Sequence, residues 1–316
     1  MILSVTLNPC VDVTLITKGL KANDTNRIQS KEVDAGGKGV NLSRVAAEIG
    51  GQTFATGFLG GANGQLVHRV MEEQGLPNEF VETAVETRMN FSVEDGTGKP
   101  PTTFNAPGDP VSEDEWRKLL AIVEGKLVSG GWMTLGGSIP PGVPADAYEI
   151  LFTKAKAAGM RVMLDADGEL LRNGIKLAPD FIKPNQNEAS RYLGYQVKSI
   201  HDGIEAVQEI HRNMVKGGAV NPLAVISLGA NGALACQEDK VFRAYGVRIE
   251  SKSTIGSGDS FVAGVLVALQ RGDRLEHALM FGNACGAATA MTDGTEIARK
   301  DVVKDLIAQV KVERVA

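Results

Sequence analysis

Residues 253–264 read Ser-Thr-Ile-Gly-Ser-Gly-Asp-Ser-Phe-Val-Ala-Gly, a glycine turn that leads into a helix. Gly256 and Gly258 permit a tight backbone that side chains would obstruct, and the apolar residues from Phe261 onward recur at helical spacing. A glycine turn before a helix points several backbone N–H groups at one place. Such a concavity binds anions and suits the charge that develops on a transferring phosphoryl group. The stretch therefore predicts an anion site at the start of a helix.

The carboxylate of Asp259 lies in the first turn of this predicted helix, where two roles are open. It could cap the helix, favoured by the helix dipole, or accept the proton of a hydroxyl group that attacks a γ-phosphoryl group. Local sequence alone favours the cap, because aspartate is common at helix starts. The stretch lacks the spacing of a P-loop and of a dinucleotide fingerprint, so neither of those sites is predicted.

A second glycine cluster, Asp-Ala-Gly-Gly-Lys-Gly-Val-Asn at residues 34–41, also precedes a predicted helix. The adjacent Gly36 and Gly37 let a ligand approach the backbone closely, and the Asn41 amide can donate and accept hydrogen bonds, as sugars require. Asp12 follows the first strand and is a candidate acceptor for sugar hydroxyls. Strand ends of parallel sheets converge on ligand crevices, so we expect these residues to form one sugar site.

Short β-branched runs alternate with amphipathic helical stretches over most of the chain. This alternation predicts an α/β fold with a mainly parallel sheet covered by helices on both faces. The predicted strands are Ile2–Leu7, Trp132–Leu135, Arg161–Leu164, Phe181–Ile182 and Ala224–Leu228, and the predicted helices are Val40–Ile49, Ala145–Ala158, Asn187–Leu193, Ile204–Met214 and Leu275–Ala290.

Two segments, residues 11–34 and 88–105, break this alternation and look like strands separated by polar turns. Met89–Glu94 and Thr102–Asn105 are expected to pair across residues 95–101. We interpret both segments as a small separate sheet that forms a lid over the site or a dimer surface, because an exposed sheet edge needs covering. The alternative is that both segments form surface hairpins without a role in the site or in a dimer. No linker separates independent domains, so the chain is predicted to be one domain.

Composition and charge exclude several classes of protein. The net charge of −5 over 316 residues gives no field that attracts nucleic acid or an anionic membrane, and no apolar stretch is long enough to span a bilayer. The chain start does not resemble a signal peptide. Cys10, Cys236 and Cys285 have neither metal spacing nor a disulfide framework, so the expected location is the reducing cytosol.

The two glycine segments and three stretches between them resemble the PfkB-type carbohydrate kinases of the ribokinase superfamily. The resemblance implies a ribokinase-like three-layer α/β/α domain over residues 1–316 with a small β-sheet lid, and an ATP-dependent sugar kinase that uses Mg²⁺. It also makes Asp259 the catalytic base rather than a cap. The matching stretches keep the family's order and lie at residues 36–46, 137–142, 183–188, 227–232 and 253–264.

The resemblance also assigns expected roles to individual positions. The amides of the anion hole would be those of Gly256, Ser257 and Gly258. The sugar would contact Asp12, Gly36, Gly37, Asn41 and Ser138. The nucleotide would lie near Lys183, Asn185, Ser227, Gly229, Gly232 and Asn283, with Mg²⁺ handled through water by Asn185 and Glu188. A monovalent cation such as K⁺ would lie at Ser253, Ile255, Thr289 and Gly294.

A phosphorylated acceptor needs cations at a second anion site. Arg27, Lys38 and Arg88 are the candidates, since guanidinium and ammonium groups suit phosphate oxygens; three solvated surface charges are the alternative. The motifs resemble the family's hexose-phosphate branch most, which implies conversion of fructose 1-phosphate to fructose 1,6-bisphosphate. Fructose 6-phosphate, tagatose 6-phosphate, an unphosphorylated sugar or nucleoside, and a non-catalytic metabolite binder stay open, and the lid is expected to form a homodimer.

Overall fold

The computed structural model describes residues 1–97, 101–292, 294 and 296–316. The strands are β1 (Ile2–Thr6), β2 (Cys10–Ile16), β3 (Ser30–Gly36), β4 (Thr53–Leu59), β5 (Asn78–Glu82), β6 (Arg88–Glu94), β7 (Thr102–Asn105), β8 (Trp132–Gly136), β9 (Arg161–Asp165), β10 (Phe181–Ile182), β11 (Leu223–Ser227), β12 (Gly232–Gln237), β13 (Lys240–Tyr245) and β14 (Val312–Arg314). The helices are α1 (Lys38–Glu48), α2 (Gly61–Glu73), α3 (Glu113–Gly125), α4 (Ala147–Ala157), α5 (Gly168–Ile175), α6 (Gln186–Leu193), α7 (Ile200–Lys216), α8 (Ser257–Gln270), α9 (Leu275–Ala290) and α10 (Lys300–Ile307).

The main sheet has ten strands within the described residues, in the order β14-β13-β12-β11-β10-β9-β8-β1-β4-β5. The strands from β11 to β5 run parallel, whereas β12, β13 and β14 extend the sheet antiparallel. The mainly parallel sheet predicted from the alternation of strands and helices is confirmed. Its central strands are buried on both faces, so they read as continuous apolar runs.

Helices cover both faces of this sheet and bury a core on each side. Leu3 and Val5 of β1 point into the core formed with α3, α4, α5, α6 and α7. Ile2, which points to the opposite face because side chains alternate along a strand, packs in the core formed with α1, α8, α9 and α10. The three-layer α/β/α architecture follows from these two cores. No helix in the described ranges is long and apolar enough to cross a membrane.

A separate sheet of four strands, in the order β3-β2-β6-β7 within the described ranges, lies beside the main sheet. The predicted pairing of β6 with β7 is confirmed, with Asn90 opposite Asn105. Part of the predicted turn at 95–101 lies outside the described residues. The β2 face that carries Val11 and Val13 packs on α2, whereas the opposite face carries polar side chains such as Asp12 and Asn90.

The predicted helices are present, but the boundaries of α7 differ from the prediction. This helix begins at Ile200, four residues before the predicted Ile204, because Ser199 and Asp202 form a capping box. The polar first turn concealed its start from the hydrophobic pattern.

Candidate active site

A cavity of about 1050 Å³ lies where the carboxyl ends of the parallel strands meet the polar face of the small sheet. This edge of a parallel sheet is where ligands of α/β proteins bind, and the volume is that of a site for small molecules. The structure brings nine of the predicted site residues to the lining of this cavity. The predicted residues among its lining are Asp12, Gly37, Lys38, Asn41, Arg88, Ser138, Ile255, Gly256 and Asp259.

Asp259 lies in the first turn of α8, and its carboxylate does not cap the helix. The N-cap residue is Gly256, and no side chain makes a capping hydrogen bond there. Instead, Nδ2 of Asn41 donates to Oδ2 of Asp259 at 3.0 Å. Burial raises the pKa of Asp259 to about 6, with the negative charge of Asp165 adding to the rise. The carboxylate thus borders the cavity with a pKa suited to a general base near neutral pH.

The two glycines of the turn serve different purposes. Gly256 has φ +74°, a left-handed conformation that side chains disfavour. Gly258 lies within the helix, but a Cβ added there would lie 3.3 Å from Nζ of Lys183. The absence of a side chain thus lets the Lys183 ammonium group approach the N-terminus of α8, so a cation and the helix N–H groups face the same point. That point attracts anions.

The buried carboxylate of Asp165 joins two lysines. Asp165 ends β9, and its Oδ1 accepts from Nζ of Lys38 at 2.6 Å while its Oδ2 lies 3.8 Å from Nζ of Lys183. Burial favours the neutral carboxyl group, but the two lysines hold the pKa of Asp165 below its ordinary value. The carboxylate at a strand end was a usable signal. Its neighbour Asp167 instead caps α5 and pairs with Arg191.

The small sheet brings Asp12 against the glycine pair at the end of β3. A Cβ added at Gly36 would lie 2.1 Å from Oδ2 of Asp12, so only glycine leaves room for the carboxylate. Gly37 has φ +111° and precedes α1. The predicted grouping of Asp12, the glycine pair and Asn41 at one site is therefore present in the geometry.

Arg88 reaches from β6 across the cavity to two backbone carbonyls. Its Nε and Nη2 donate to the Asn8 carbonyl, and its Nη1 donates to the Ala106 carbonyl at 2.6 Å. The guanidinium group has more N–H donors than these bonds use, so donors remain for a ligand. The Asn8 amide in turn donates to the Pro107 carbonyl and to Oγ of Ser138. This network fixes the cavity wall that carries Ser138.

The other two predicted phosphate-binding cations lie in different surroundings. Burial alone would lower the pKa of Lys38, but Asp165 beside it raises that pKa above its usual value, so Lys38 carries a full charge at the cavity. Arg27 is exposed in the loop between β2 and β3 and is not among the residues that line the cavity of this chain. A role for Arg27 in phosphate binding stays a prediction.

The residues predicted to hold the nucleotide follow the next strands of the sheet. Asn185 and Glu188 form a capping box at the start of α6, and Asn185 bridges to Ser227 at the end of β11. The remaining three predicted residues lie around β12 and β13: Gly229 and Gly232 have positive φ, and Nδ2 of Asn283 donates to the Tyr245 carbonyl at 2.5 Å.

The positions predicted for a monovalent cation lie around the start of α8. The Ser253 hydroxyl accepts from the backbone N–H of Ile255, and Oγ1 of Thr289 pairs with Oγ of Ser260 at 2.7 Å. Gly294 has φ +57° and faces Glu32 of β3. Within the described ranges, no group of three His, Cys, Asp or Glu residues could enclose a metal ion. At the start of α6, the Glu188 carboxylate and the Asn185 amide oxygen are of the hard oxygen type that a divalent cation prefers.

The pKa of Asp259 predicts an acid limit to turnover. A base must be unprotonated, so kcat should be constant above about pH 7 and fall roughly tenfold per pH unit below about 6, the pKa of Asp259. Sugar and nucleotide phosphates also titrate near pH 6, so the measurement is kcat at saturating substrates. A kcat that stays constant to pH 4.5 would show that the base has the pKa of an exposed aspartate.

The cavity thus combines the buried carboxylate of Asp259 with the cations Lys38 and Arg88, beside a helix N-terminus that faces Lys183, and this arrangement is compatible with a kinase site. The family described as pfkB family carbohydrate kinase matches residues 4–301, so the chain belongs to the pfkB family of carbohydrate kinases. The ribokinase-like fold and an ATP-dependent carbohydrate kinase activity are those of this family, which generally uses a divalent metal, and the relatives below support a sugar phosphate as the acceptor.

Relatives and solved structures agree on this class. The chain is 32% identical over 314 residues to 1-phosphofructokinase of Borreliella burgdorferi, covering 99% of this chain and 98% of the relative. It is 30% identical over 308 residues to the ATP-dependent 6-phosphofructokinase isozyme 2 of Escherichia coli, covering 97% and 98%. The crystal structure of Escherichia coli phosphofructokinase-2 in complex with substrates and products superposes with a TM-score of 0.88 at 30% identity, covering 98% of each chain.

Proposed function

We propose that the chain transfers the γ-phosphoryl group of ATP to fructose 1-phosphate and forms fructose 1,6-bisphosphate. One observation carries this proposal: Arg88 and Asp259 line the same cavity. An acceptor that carries a phosphate group can therefore contact the guanidinium group while its free hydroxyl faces the base. Relatives named 1-phosphofructokinase, at 32% and 30% identity, favour fructose 1-phosphate over its isomers.

In the proposed reaction, Asp259 accepts the proton of the acceptor hydroxyl as that oxygen forms its bond to the γ-phosphorus atom. The bond from this phosphorus atom to the bridging oxygen of ADP breaks at the same time. The N–H groups of Gly256, Ser257 and Gly258 stabilise the oxygens of the transferring group, because donors at a helix N-terminus are held in place before the reaction begins. The Ser257 N–H gives up its 3.4 Å contact with the Thr254 carbonyl to do so. Lys183 adds a positive charge beside them.

The proposed nucleotide and cation sites follow the sequence assignments. Bound Mg²⁺ would neutralise phosphate charge, with Glu188 and Asn185 acting through water. A potassium complex is known for the Escherichia coli relative, and we extend a K⁺ site to Ser253, Ile255, Thr289 and Gly294. The nucleotide would lie along Lys183, Asn185, Ser227, Gly229, Gly232 and Asn283.

The test of this function is ADP release from Mg-ATP with fructose 1-phosphate, fructose 6-phosphate, tagatose 6-phosphate and fructose as acceptors. We expect the highest kcat/KM for fructose 1-phosphate and almost none for fructose. A higher kcat/KM for fructose 6-phosphate than for fructose 1-phosphate would identify fructose 6-phosphate as the acceptor, in line with the Escherichia coli relative. Binding of a sugar phosphate without any ADP release would support a non-catalytic metabolite binder.

The small sheet, as the proposed lid, also has the properties of a dimer surface. Val33, Phe91 and Phe104 lie in register with Val13 and form one apolar row across all four strands; Val13 itself is buried, and the other three residues are exposed. Phe91 is 39% exposed and Phe104 is 58% exposed. Neighbouring aromatic side chains are costly to leave in water and are enriched at interfaces, so we propose that two copies of the chain pair through this row.

Replacement of the two phenylalanines of this apolar row should separate the dimer into monomers. The Phe91→Ser, Phe104→Ser double variant is expected to halve the mass measured by light scattering, because the apolar area that joins the copies is lost. Val220→Ser is the matched control, since Val220 is 86% exposed in the loop between α7 and β11 of the main sheet. A monomeric wild type, or a double variant of unchanged mass, would show that this row is not the interface.

A further inference from the structure

Two side chains with no role in the proposed reaction hold the carboxylate of Asp12. Sγ of Cys10 donates to Oδ1 of Asp12 at 3.2 Å, and Nδ2 of Asn90 donates to the same oxygen at 3.1 Å. Oδ2 has no protein hydrogen-bond partner among the described residues and lies over Gly36. One oxygen is thus occupied by the protein, and the other remains available as an acceptor.

The orientation of the Asn90 amide is determined by its second bond. Oδ1 of Asn90 accepts from the backbone N–H of Ala106 at 3.2 Å. A backbone N–H can only donate, so the amide oxygen must face Ala106 and the NH₂ group must face Asp12. The Ala106 carbonyl is held by Arg88, so neither the amide nor its anchor can turn without breaking a bond. Asn90 therefore connects β2, β6 and the segment that leaves β7.

We propose that Asn90, supported by Cys10, is a positioning residue that turns Oδ2 of Asp12 toward the hydroxyl groups of the sugar phosphate. The inference rests on the proposed function, in which Asp12 accepts hydrogen bonds from the sugar. Asn90 lies on the small sheet at the Asp12 register. Its bond to Ala106 also ties the orientation of Asp12 to the position of the segment that joins this sheet to α3.

The charges around Asp12 make these two donors important. Asp34 lies opposite Asp12 on β3, Asp259 faces the cavity from α8, and Arg88 is the nearby cation. Burial raises the pKa of Asp12, while the bonds from Cys10 and Asn90 lower it. Loss of either donor raises that pKa further and leaves the carboxylate free to rotate. Only the charged carboxylate, with Oδ2 turned to the cavity, can accept from two sugar hydroxyls.

The test variant is Asn90→Asp, which keeps the acceptor for Ala106 but replaces the donor with a second carboxylate. We expect the KM for the sugar phosphate to rise at least about tenfold, because a hydrogen bond to a charged group is lost, with little change in the KM for ATP. The rise of sugar KM on acidification should begin at a higher pH than in the wild type. Asn221→Asp adds the same charge at an exposed position with φ +50°, outside the cavity lining. This control should change neither the KM for the sugar phosphate nor its dependence on pH.

Cys10 provides an independent pair of variants. Cys10→Ser keeps a donor of similar size, and Cys10→Ala removes it, so the sugar KM should stay near the wild-type value in the first and rise severalfold in the second. Folded Asn90→Asp and Cys10→Ala variants with wild-type sugar KM would overturn the inference, as would a loss of thermal stability alone. Failure of the wild type to consume any sugar phosphate would instead refute the proposed function.

Discussion

Asp259→Asn lowers kcat by roughly 10²–10⁴-fold, the range that a positioned general base contributes, while the affinity for ATP stays near that of the wild type. The amide has almost the shape of the carboxylate, and its oxygen can still accept from Nδ2 of Asn41, the bond seen at 3.0 Å. The turn and its N–H groups therefore remain in place. Only the ability to accept a proton is lost, so the defect belongs to the chemical step.

The measurement combines steady-state kcat with nucleotide binding by calorimetry. Asp305→Asn removes the same charge from an exposed position on α10 and should leave both kcat and the affinity for the nucleotide unchanged. Turnover within fivefold of the wild type in a folded Asp259→Asn variant would remove Asp259 from the role of base. A loss of ATP affinity equal to the loss of kcat would point to a structural role for the carboxylate.

Arg88→Ala raises the KM for the sugar phosphate by about 10–100-fold, because charged hydrogen bonds to an anion contribute about 1.5–3 kcal/mol. The guanidinium group is the fork that suits a phosphate group, and its remaining donors lie on the cavity. Arg88→Lys keeps the charge but not the fork, so its KM should lie between those of the wild type and the alanine variant. Turnover at saturating acceptor should change less than KM does.

Arg88 also donates hydrogen bonds to the carbonyls of Asn8 and Ala106. The experiment must therefore distinguish this structural role of Arg88 from its role in binding the phosphate group. Residual activity with unphosphorylated fructose serves this purpose, because it should be equally low in the wild type and in Arg88→Ala. Arg69→Ala on α2, an exposed arginine outside the cavity, is the matched control. If KM falls or stays constant in Arg88→Ala at wild-type thermal stability, the acceptor phosphate binds elsewhere.

The fold follows from the sequence because its signals are local and repeated. Each buried parallel strand is a short apolar run, and each helix shows one apolar face, so alternation alone identifies the layers. The antiparallel extension by β12, β13 and β14 was not foreseen. Strands β12 and β13 each pair with the strand just before them across a short turn, whereas β14 joins β13 across about 70 residues of intervening helix and loop. No local pattern encodes such a pairing.

The site was predictable where glycines and strand ends mark it, and less so where side chains meet by tertiary packing. Gly256 and Gly36 are needed for a backbone conformation and a close approach, so the residue type itself is a signal. Asp165 could be read equally as a turn residue, because its two lysines come from α1 and from the end of β10. The bond from Asn90 to Asp12 depends on strand register, which residue type does not reveal.

The hydrogen bond between Asn41 and Asp259 joins positions 218 residues apart, and this separation bears on how the enzyme is made. Long-range contacts form slowly, because loop closure must precede them. A nascent chain that has emerged only to the end of β13 contains Asp12, Asn41 and Arg88 but not Asp259, the proposed base. In the proposed mechanism, catalytic competence is therefore acquired late in synthesis, when α8 docks on α1, and no chain that ends before α8 can transfer phosphate.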